Sequence, residues 1–543
     1  MVNAVQDSII QHNNEHPRCT GRLSVLPDLV TKWGLTAILQ LKCIMCGFTS
    51  ERHKLYREVA RSGRGRRCAE PNRSLAVGMM CTNIGMAGSQ RLFSAIGNTV
   101  PSASSMQRQL NSVGDSIREL NEADMARQRT KLQDTLEQAG YPRNTAIAVQ
   151  CDRQYNNDLR SGRRHTPYAP ATQTRDLAAE NLTVDKKIIA YNQESKLCKI
   201  GELARAKGRD VQCPGHDGCM ATLPASAYIG DEKLGGRKLA RSLLSGEDSL
   251  TIGMVVTDAD GRMAEGFSSE MEAATNASIE HCLDTQHINR SVARGISNSD
   301  IKVDLAGVHC TSAQRQQAKN RLADSIASRA EHEVRAARDK YGDNNAAVVK
   351  AAKQAIPAII ACYQGDQSLC REQSLVCDGE HVNQKYLPKF AKEAFRFRKN
   401  DVQRLTVEMR KRMGEKVLIK TRLGLNTQKV ESMNHAFVTT YPKHSMTCYR
   451  NGANRDHSAI HQVNNPMGDS ILLKNEACGV HFSSNAPCLK ALHGLNRRQH
   501  YFKQRSRSSK FKSRRAHLVK KRYELYDMTR NESMYKKDQM LPK

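Results

Sequence analysis

The sequence predicts an α/β fold, because two short apolar segments with strand character are set among long segments of helical periodicity. The apolar segments cover residues 146–149 and 250–257. Both are rich in small or β-branched apolar residues and both lead to an acidic residue, which is typical of a buried strand that ends at a polar edge. A further strand is predicted at 187–191, next to the strand that leads to Asp152. We therefore expect a sheet flanked by helices.

Each of the two apolar segments leads to an aspartate, Asp152 in the first case and Asp258 in the second. Side chains at the carboxyl ends of strands in an open α/β sheet point into the crevice where ligands bind. Two carboxylates placed there repel each other unless a divalent cation with a preference for oxygen ligands lies between them. The pair therefore predicts a Mg²⁺ or Mn²⁺ site of the kind that hydrolyses or transfers phosphodiesters. Asp260 is an alternative to Asp258 and Asp158 to Asp152, and the segment DADG alone is also ordinary turn chemistry.

The charge of the chain indicates a polyanionic partner. Its 543 residues include 84 Lys and Arg against 55 Asp and Glu, a formal net charge of +29, and nucleic acid is the expected partner for such an excess. Residues 496–522 contain 12 basic residues and no acidic one. Tyr501, Phe502 and Phe511 are interleaved with them and could stack on bases, and the same stretch could act as a nuclear address. The predicted DNA contacts are Arg497, Arg498, Lys503, Arg505, Arg507, Lys510, Lys512, Arg514 and Arg515.

Cysteine spacing predicts zinc sites. The chain contains 17 cysteines and begins without the basic and apolar regions of a secretory signal, so reduced thiols and zinc are favoured over disulfides. One predicted site has four ligands, Cys198, Cys213, His216 and Cys219. A second is built on the pair Cys43 and Cys46, with Cys19, His53 and Cys68 as candidates for the remaining ligands and Cys19 preferred. A third cysteine group, Cys362, Cys370 and Cys377, has no firm assignment.

No apolar run approaches the length that spans a bilayer, so we expect an intracellular protein without a membrane partner. Helical periodicity marks residues 101–140, where Met106, Leu110, Val113, Ile117 and Leu120 form an apolar stripe and Ser104 or Ser105 can cap the start. It also marks the long segment 311–362, in which Pro357 is the expected kink. A later helix is predicted to begin at Asn426 or Thr427. Its apolar stripe consists of Val430, Met433 and Phe437, and it carries Glu431 and Asn434 at a spacing of three.

Four segments together resemble the Mutator-like element transposases, a branch of the DDE enzymes. They are AVQCDRQYNN with the following PATQ and ENLT, then VVTDADGRM, then LDTQHINR, and finally LNTQKVESMNHAFVTTYPK. The third segment is similar to the family's C/D-x₂-H element, and the fourth to the segment that carries its catalytic Glu. Two departures are Asp284, where many relatives have Cys, and the order Asn-Thr at 426–427.

The resemblance implies an α/β fold with an RNase H-like catalytic core, a mixed sheet flanked by helices, interrupted by a large α-helical insertion. It implies that Asp152, Asp258 and Glu431 bind Mg²⁺ or Mn²⁺ and that His287 supports them. The implied parts are 1–100, a Cys-containing zinc and DNA-binding region; 101–142, a helical linker; 143–300, the first part of the core with a Cys/His insertion at 198–219; 301–420, the helical insertion; 421–480, the last part of the core; and 481–543, the basic tail.

The resemblance also implies a function, namely cleavage of DNA at transposon ends and transfer of the freed 3′-OH ends into target DNA. The expected partners are double-stranded DNA, as terminal inverted repeats and as target, and a second copy of the chain in a homodimer or higher oligomer. Two alternatives remain open at this point. The chain could be a domesticated descendant that binds DNA without catalysis, or a metal-dependent nuclease that does not transfer strands.

Overall fold

The computed structural model describes residues 2–60, 67–156, 171–258, 261–301, 304–305, 311–379, 395–440 and 449–532. Helices dominate and strands form a mixed sheet, so the α/β class is confirmed. The described strands are β1 (Leu23–Trp33), β2 (Thr36–Cys43), β3 (His53–Lys54), β4 (Glu58–Val59), β5 (Cys68–Ala69), β6 (Ile147–Asn156), β7 (Gln173–Glu180), β8 (Ile188–Ser195), β9 (Ile252–Thr257), β10 (Glu280–Leu283), β11 (Asp304–Leu305) and β12 (Phe395–Arg396).

The described helices connect and cover these strands. They are α1 (Val2–Glu15), α2 (Glu70–Met80), α3 (Met86–Ala95), α4 (Ala103–Gln138), α5 (Lys199–Ala206), α6 (Glu232–Leu244), α7 (Arg262–Thr275), α8 (Thr285–Asn298), α9 (Ser312–Tyr341), α10 (Asn345–Tyr363), α11 (Cys370–Gln373), α12 (Lys399–Met413), α13 (Glu415–Lys420), α14 (Gln428–Thr440), α15 (Tyr449–Asn464), α16 (Met467–Ala477), α17 (Pro487–Arg507) and α18 (Ser509–Glu532).

The chain divides into two compact units. One comprises Met1–Glu122, Thr439–Pro442 and Arg450–Lys543, and the other comprises Ala123–Val438 and Lys443–Tyr449. The first unit contains the three-stranded antiparallel sheet β1-β2-β3 and the helices α1 to α3 and α15 to α18. The second contains the larger sheet and the helices α5 to α13. The division into six parts implied by the resemblance stays a prediction.

Helix α4 was predicted from its apolar stripe, and the structure confirms the stripe. Met106, Leu110, Val113 and Ile117 are buried and belong to one core cluster with residues of α2. The expected cap at Ser104 or Ser105 is wrong, because the amide of Ser105 donates to the Oγ of Ser102 (3.4 Å) instead. The start of the helix therefore lies two to three residues earlier than expected.

The larger sheet has five strands in the order β10-β9-β6-β7-β8. Strands β10, β9 and β6 are mutually parallel, β7 pairs antiparallel with β6, and β8 pairs antiparallel with β7. Helices α6 and α7 cover one face and bury Leu239, Leu243, Phe267 and Met271 against it. The strand predicted at 187–191 exists as β8, but its expected place beside β6 is wrong, because β7 pairs with both.

Strand β6 is longer than its apolar residues suggest. It was predicted to stop at Asp152, yet it continues to Asn156, because β7 pairs with it up to the couple Asn156 and Gln173. Arg153 and Asn156 in this extension are buried although they are polar, and Arg153 forms a buried ion pair with Asp176 (2.5 Å). A paired charge costs much less to bury than a lone one. Apolar patterning therefore could not mark these residues as strand.

Helices α8, α9, α10, α12 and α13 form a separate helical block with its own apolar core. Pro357 lies inside α10, as expected. Helix α10 is long and apolar enough to cross a membrane by length and composition, which contradicts the expectation that no apolar run approaches such a length. Two lysines and the proline interrupt the run in the sequence, but the helix continues through them. Its apolar side is buried in the block, with Ile356, Ile359 and Ile360 in the core.

Candidate active site and metal centres

The pairing of β6 with β9 places Asp152 and Asp258 side by side. Gln150 is the register partner of Val256. The strands are parallel, so two residues further along each chain Asp152 lies level with Asp258. Asp258 directly follows β9, as predicted, whereas Asp152 lies within β6, two residues beyond the end of its pairing with β9. Both alternatives, Asp158 and Asp260, lie outside the described residues.

Helix α14 brings Glu431 to the same place. The Oε1 of Glu431 lies 2.6 Å from the Nε2 of His287 and 3.1 Å from the Nη1 of Arg290. The other ring nitrogen of His287, Nδ1, lies 3.3 Å from the Oδ1 of Asp258. One imidazole thus bridges two of the three predicted metal-binding carboxylates. All four predicted active-site residues lie in one contiguous cluster within the second unit.

The third carboxylate is connected to the same helix through Asn434. The Nδ2 of Asn434 donates to the Oδ2 of Asp152 (2.7 Å), and the amide of Arg153 donates to its Oδ1 (2.9 Å). Asn434 lies one turn after Glu431, so α14 contacts Asp152 with one residue and His287 with the other. The Oδ1 of Asn434 is buried and has no hydrogen-bond partner among the described residues.

Two buried polar side chains hold α14 in position. Asp284 accepts hydrogen bonds from the amides of Gln286 (2.6 Å) and His287 (3.4 Å) at the start of α8, and from the amide (2.8 Å) and hydroxyl of Thr427 at the start of α14. It therefore joins the helix that carries His287 to the helix that carries Glu431. On the other side, the Oε1 of Gln150 in β6 accepts from the amides of Lys429 (3.0 Å) and Val430 (3.4 Å).

The cluster perturbs the ionisation of its members. Burial, reinforced by the charge of Asp258, raises the pKa of Asp152 to about 7. Burial also raises the pKa of Asp258, against the opposing effect of His287. Burial alone would lower the pKa of His287, but the hydrogen bond to Glu431 and the charges of Asp258 and Asp284 outweigh it and raise that pKa. Carboxylates held this close repel each other when both are ionised, and a divalent cation bound between them removes that repulsion.

A cavity of about 210 Å³ opens beside the two aspartates and reveals a carboxylate that the sequence analysis missed. Glu232, at the first position of α6, lines this cavity together with Asp152 and Asp258. The hydroxyl of Tyr155 donates to its Oε1 (2.7 Å). No local pattern distinguished Glu232 from any acidic residue in the first turn of a helix; only the packing of α6 on the sheet brings it here.

The donor set of the cluster consists of carboxylate oxygens, the ligands that Mg²⁺ and Mn²⁺ prefer. In the described residues, Asp152, Asp258 and Glu431 are not among the ligand sets whose atoms all lie within 4.8 Å of one another. His287 lies between two of them, which accounts for the wider spacing. The side chains therefore fit such a cation in chemistry, and the imidazole has to move for Asp258 and Glu431 to share one.

The N-terminal cysteine site acquires a ligand that the sequence analysis did not identify. The predicted Cys19, Cys43 and Cys46 converge with His12, and their ligand atoms all lie within 4.8 Å of one another. The Nε2 of His12 is 3.3 Å from the sulfur of Cys46. A hydrogen bond from the Cys46 backbone is the main cause that lowers the pKa of the Cys43 thiol to about 6, which favours the thiolate that binds zinc.

The two other candidates for this site are not part of it. His53 contacts the hydroxyl of Ser8 (2.8 Å), and Cys68 lies in β5. His12 could not be predicted from cysteine spacing, because it belongs to α1 and precedes the CxxC pair by about 30 residues. A complete set of three thiols and one imidazole is a closed tetrahedral set that suits zinc.

Replacement of His12 tests this ligand set. We expect His12→Ala to weaken zinc binding at the N-terminal site by at least about 100-fold, because even the loss of an outer partner of a metal ligand costs 10–100-fold. Zinc retained against a competing chromophoric chelator measures the effect. His53→Ala is the matched control, because His53 lies in the same unit and contacts Ser8 instead. An equal loss of zinc in both variants would contradict the assignment.

The predicted site in the second unit is brought together with the four residues expected. The ligand atoms of Cys198, Cys213, His216 and Cys219 all lie within 4.8 Å of one another. The Nε2 of His216 is 3.3 Å from the sulfurs of both Cys198 and Cys213. Burial opposes ionisation of Cys198, but backbone hydrogen bonds from Met220 and Gly201 and contacts with Cys219 and His216 lower its pKa to about 6. The cluster could hold a zinc ion.

All nine predicted DNA contacts are exposed. They lie on α17 and α18, and α17 buries none of its residues. Tyr501 and Phe502 are 57% and 60% exposed, so both aromatic rings are available for stacking. Phe511 is half-buried, with the guanidinium of Arg505 5.5 Å from the centre of its ring.

Comparison with known families identifies the chain. A family model described as Mutator-like transposase matches residues 1–377, more than half of the sequence. The chain therefore belongs to the Mutator-like transposase family, which confirms the resemblance inferred from its motifs. Membership implies an enzyme that acts on nucleic acid and binds DNA. Asp152, Asp258 and His287 lie inside the matched range, and Glu431 lies beyond it. No curated protein and no solved structure matches the chain.

Proposed function

We propose that this protein is a DDE transposase with an RNase H-like core, which cleaves DNA at transposon ends and joins the freed 3′-OH ends to target DNA. The observation that carries the proposal is the convergence of Asp152 and Asp258 on neighbouring parallel strands with Glu431 from a helix much later in the chain. In this proposal the helical block is the insertion that separates Asp258 from Glu431.

The proposed roles follow from the contacts of each side chain. Asp152, Asp258 and Glu431 would hold the cations, and Glu232 would add a fourth carboxylate at the cavity wall. Two Mg²⁺ or Mn²⁺ ions bound there would supply activation of the attacking oxygen and stabilisation of the leaving 3′ oxygen. Asn434 orients Asp152 through its amide. In the free protein His287 lies between Asp258 and Glu431, where a protonated ring would offset one of their two negative charges, and it would have to leave this position for both to hold one cation.

DNA binding is assigned to the basic tail. Each phosphate neutralised by its exposed lysines and arginines releases counterions, so binding is expected to weaken steeply with salt. Tyr501 and Phe502 would stack on unpaired bases near the cut end. Because two transposon ends have to be joined to one target, the active form is proposed to be at least a homodimer. The basic tail is also the proposed nuclear address.

The decisive experiment is a cleavage and joining assay on DNA from the flanks of the coding region, where inverted repeats are expected. The wild type should nick and join these ends in Mg²⁺, and Asp258→Asn should do neither, since it removes one carboxylate of the pair. Metal dependence is tested by leaving Mg²⁺ out, because a chelator would also strip the cysteine clusters. Cleavage by Asp258→Asn at the wild-type rate would refute the proposal.

Two other outcomes separate the alternative functions. If intact ends are cut but pre-cleaved 3′-OH ends are never joined to a target plasmid, the protein is a nuclease without strand transfer. If the wild type binds the ends and neither cuts nor joins them in Mg²⁺ or Mn²⁺, the protein is a DNA-binding descendant. The presence of all three carboxylates in one cluster favours the transposase over this second alternative.

A further inference from the structure

A third group of cysteines lies in the helical block, away from the active-site cluster and from the two metal centres above. It consists of Cys362 near the end of α10, Cys370 at the start of α11, and Cys377 in the loop that follows. Their sulfur atoms all lie within 4.8 Å of one another. The end of α10, the start of α11 and the loop after α11 therefore each contribute one thiol to the same cluster.

Ordinary packing of cysteines does not account for this convergence. Cys151, Cys282 and Cys478 are also buried, yet in the described part of the chain none of them belongs to a group of this kind. The three clustered thiols are not joined by disulfides. Two of them, Cys362 and Cys377, are only half-buried, so apolar burial is not their main role. The thiol of Cys370 donates to the carbonyl oxygen of Ala358 (3.7 Å) in the free protein, and it would lose this proton on binding a metal.

The loop that carries Cys377 is fixed by helix α9. The Nη2 of Arg329 donates to the hydroxyl oxygen of Ser374 (2.8 Å), and the same oxygen accepts from the amide of Cys377 (2.8 Å). The buried Glu333 accepts from the amide of Leu375 (2.8 Å) and pairs with Arg329 (2.9 Å). Outer contacts that hold ligands in position before the metal arrives are a regular feature of built metal sites.

We propose that Cys362, Cys370 and Cys377 bind a third zinc ion through three thiolates. Three thiolates and one zinc ion carry a single net negative charge, and the guanidinium of Arg329, which also pairs with Glu333, lies beside Cys377. Soft sulfur ligands select zinc over Mg²⁺ or Ca²⁺. A zinc ion bound there would cross-link the end of α10 to the segment that follows α11. It is independent of the proposed transposase activity, because none of its ligands contacts the carboxylate cluster.

Elemental analysis of the purified full chain tests this site. Cys377→Ser and Cys362→Ser are each expected to contain one zinc ion per chain fewer than the wild type. Cys488→Ser is the matched control, because Cys488 is an exposed thiol on α17, and its zinc content should equal that of the wild type. If both cluster variants keep the zinc content of the wild type, the proposal is refuted.

A second measurement decides the matter without any variant, in case the substitutions prevent folding. In the native wild type, Cys362 and Cys377 should resist alkylation and become reactive when zinc is removed, as read by peptide mass spectrometry. Rapid alkylation of both thiols in the zinc-loaded protein would overturn the proposal. Recovery of any two of the three as a disulfide in the freshly purified protein would overturn it as well.

Discussion

Asp152→Asn should abolish activity and at the same time stabilise the protein. The expected loss of DNA cleavage is at least about 10³-fold, since removal of a single member of a catalytic group commonly costs 10⁴-fold or more. The gain in stability follows from the environment of Asp152, where burial and the charge of Asp258 raise its pKa to about 7. The loss of activity and the gain in stability have the same origin, because the carboxylates of Asp152 and Asp258 lie close together in the free protein without a cation between them.

The stability effect has a definite pH window. A carboxyl whose pKa is higher in the folded than in the unfolded state contributes stability at low pH, and this contribution is lost as the pH rises through the folded pKa. For Asp152 the loss runs from about pH 4 to about pH 7. An asparagine does not ionise, so the variant should unfold with a free energy about 1–3 kcal/mol higher than the wild type at pH 8, and with little difference at pH 4. Asn434 can rotate its amide to pair with the new side chain, because its Oδ1 has no hydrogen-bond partner among the described residues.

Urea unfolding in Mg²⁺-free buffer without chelator measures this difference. Asp339→Asn is the control, because Asp339 is exposed on α9 and lies outside the cluster; its stability should follow that of the wild type at both pH values. A destabilised Asp152→Asn variant at pH 8 would show that the carboxylate is accommodated in the free protein and would remove the electrostatic argument for a cation.

Asp284→Ala is expected to lower the free energy of unfolding by about 3–5 kcal/mol, because hydrogen bonds to a charged group contribute about 1.5–3 kcal/mol each and several are lost together. Asp284 is 1% exposed and accepts four hydrogen bonds. Its loss leaves the amides of Gln286, His287 and Thr427 and one hydroxyl without an acceptor, and each unsatisfied buried group is costly. Because these donors begin α8 and α14, the effect should extend to the helix that carries Glu431.

Asp231→Ala separates this network from simple helix capping. Asp231 also caps a helix, but it is exposed and accepts one hydrogen bond, from the amide of Leu234 (3.1 Å). Its replacement should cost about 1 kcal/mol, as for an ordinary N-cap. Denaturant unfolding of both variants gives the comparison. Similar losses in the two proteins would mean that Asp284 is only a cap and that the connection to α14 contributes nothing.

Local sequence patterns predicted the parts of the fold that depend on neighbours in the chain. The apolar run before Asp258 gave a strand that ends where expected, and the stripe of Val430, Met433 and Phe437 gave the buried face of α14. The four ligands at 198–219 could be predicted because their spacing is short. In each case the physical cause, periodic burial or metal-ligand spacing, operates over a few residues.

Features that depend on distant residues were missed. The polar end of β6 is strand because β7 pairs with it and Asp176 neutralises Arg153. His12 joins a metal site through the placement of α1, and Glu232 joins the cavity through the placement of α6. The length of the apolar segment in α10 was underestimated, because two lysines and a proline interrupt it in the sequence. None of these outcomes leaves a signal within a window of ten or so residues.

The hydrogen bonds from Lys429 and Val430 to Gln150 have a consequence for how the chain folds during synthesis. They join groups that are 279 and 280 residues apart in the sequence. Contacts of such high order form slowly, because a long loop has to close first. The helical block between them contains local contacts and can fold as soon as it leaves the ribosome. The larger sheet therefore lacks its contacts with α14 until Lys429 and Val430 have been translated, and its apolar surface is open to aggregation during that interval.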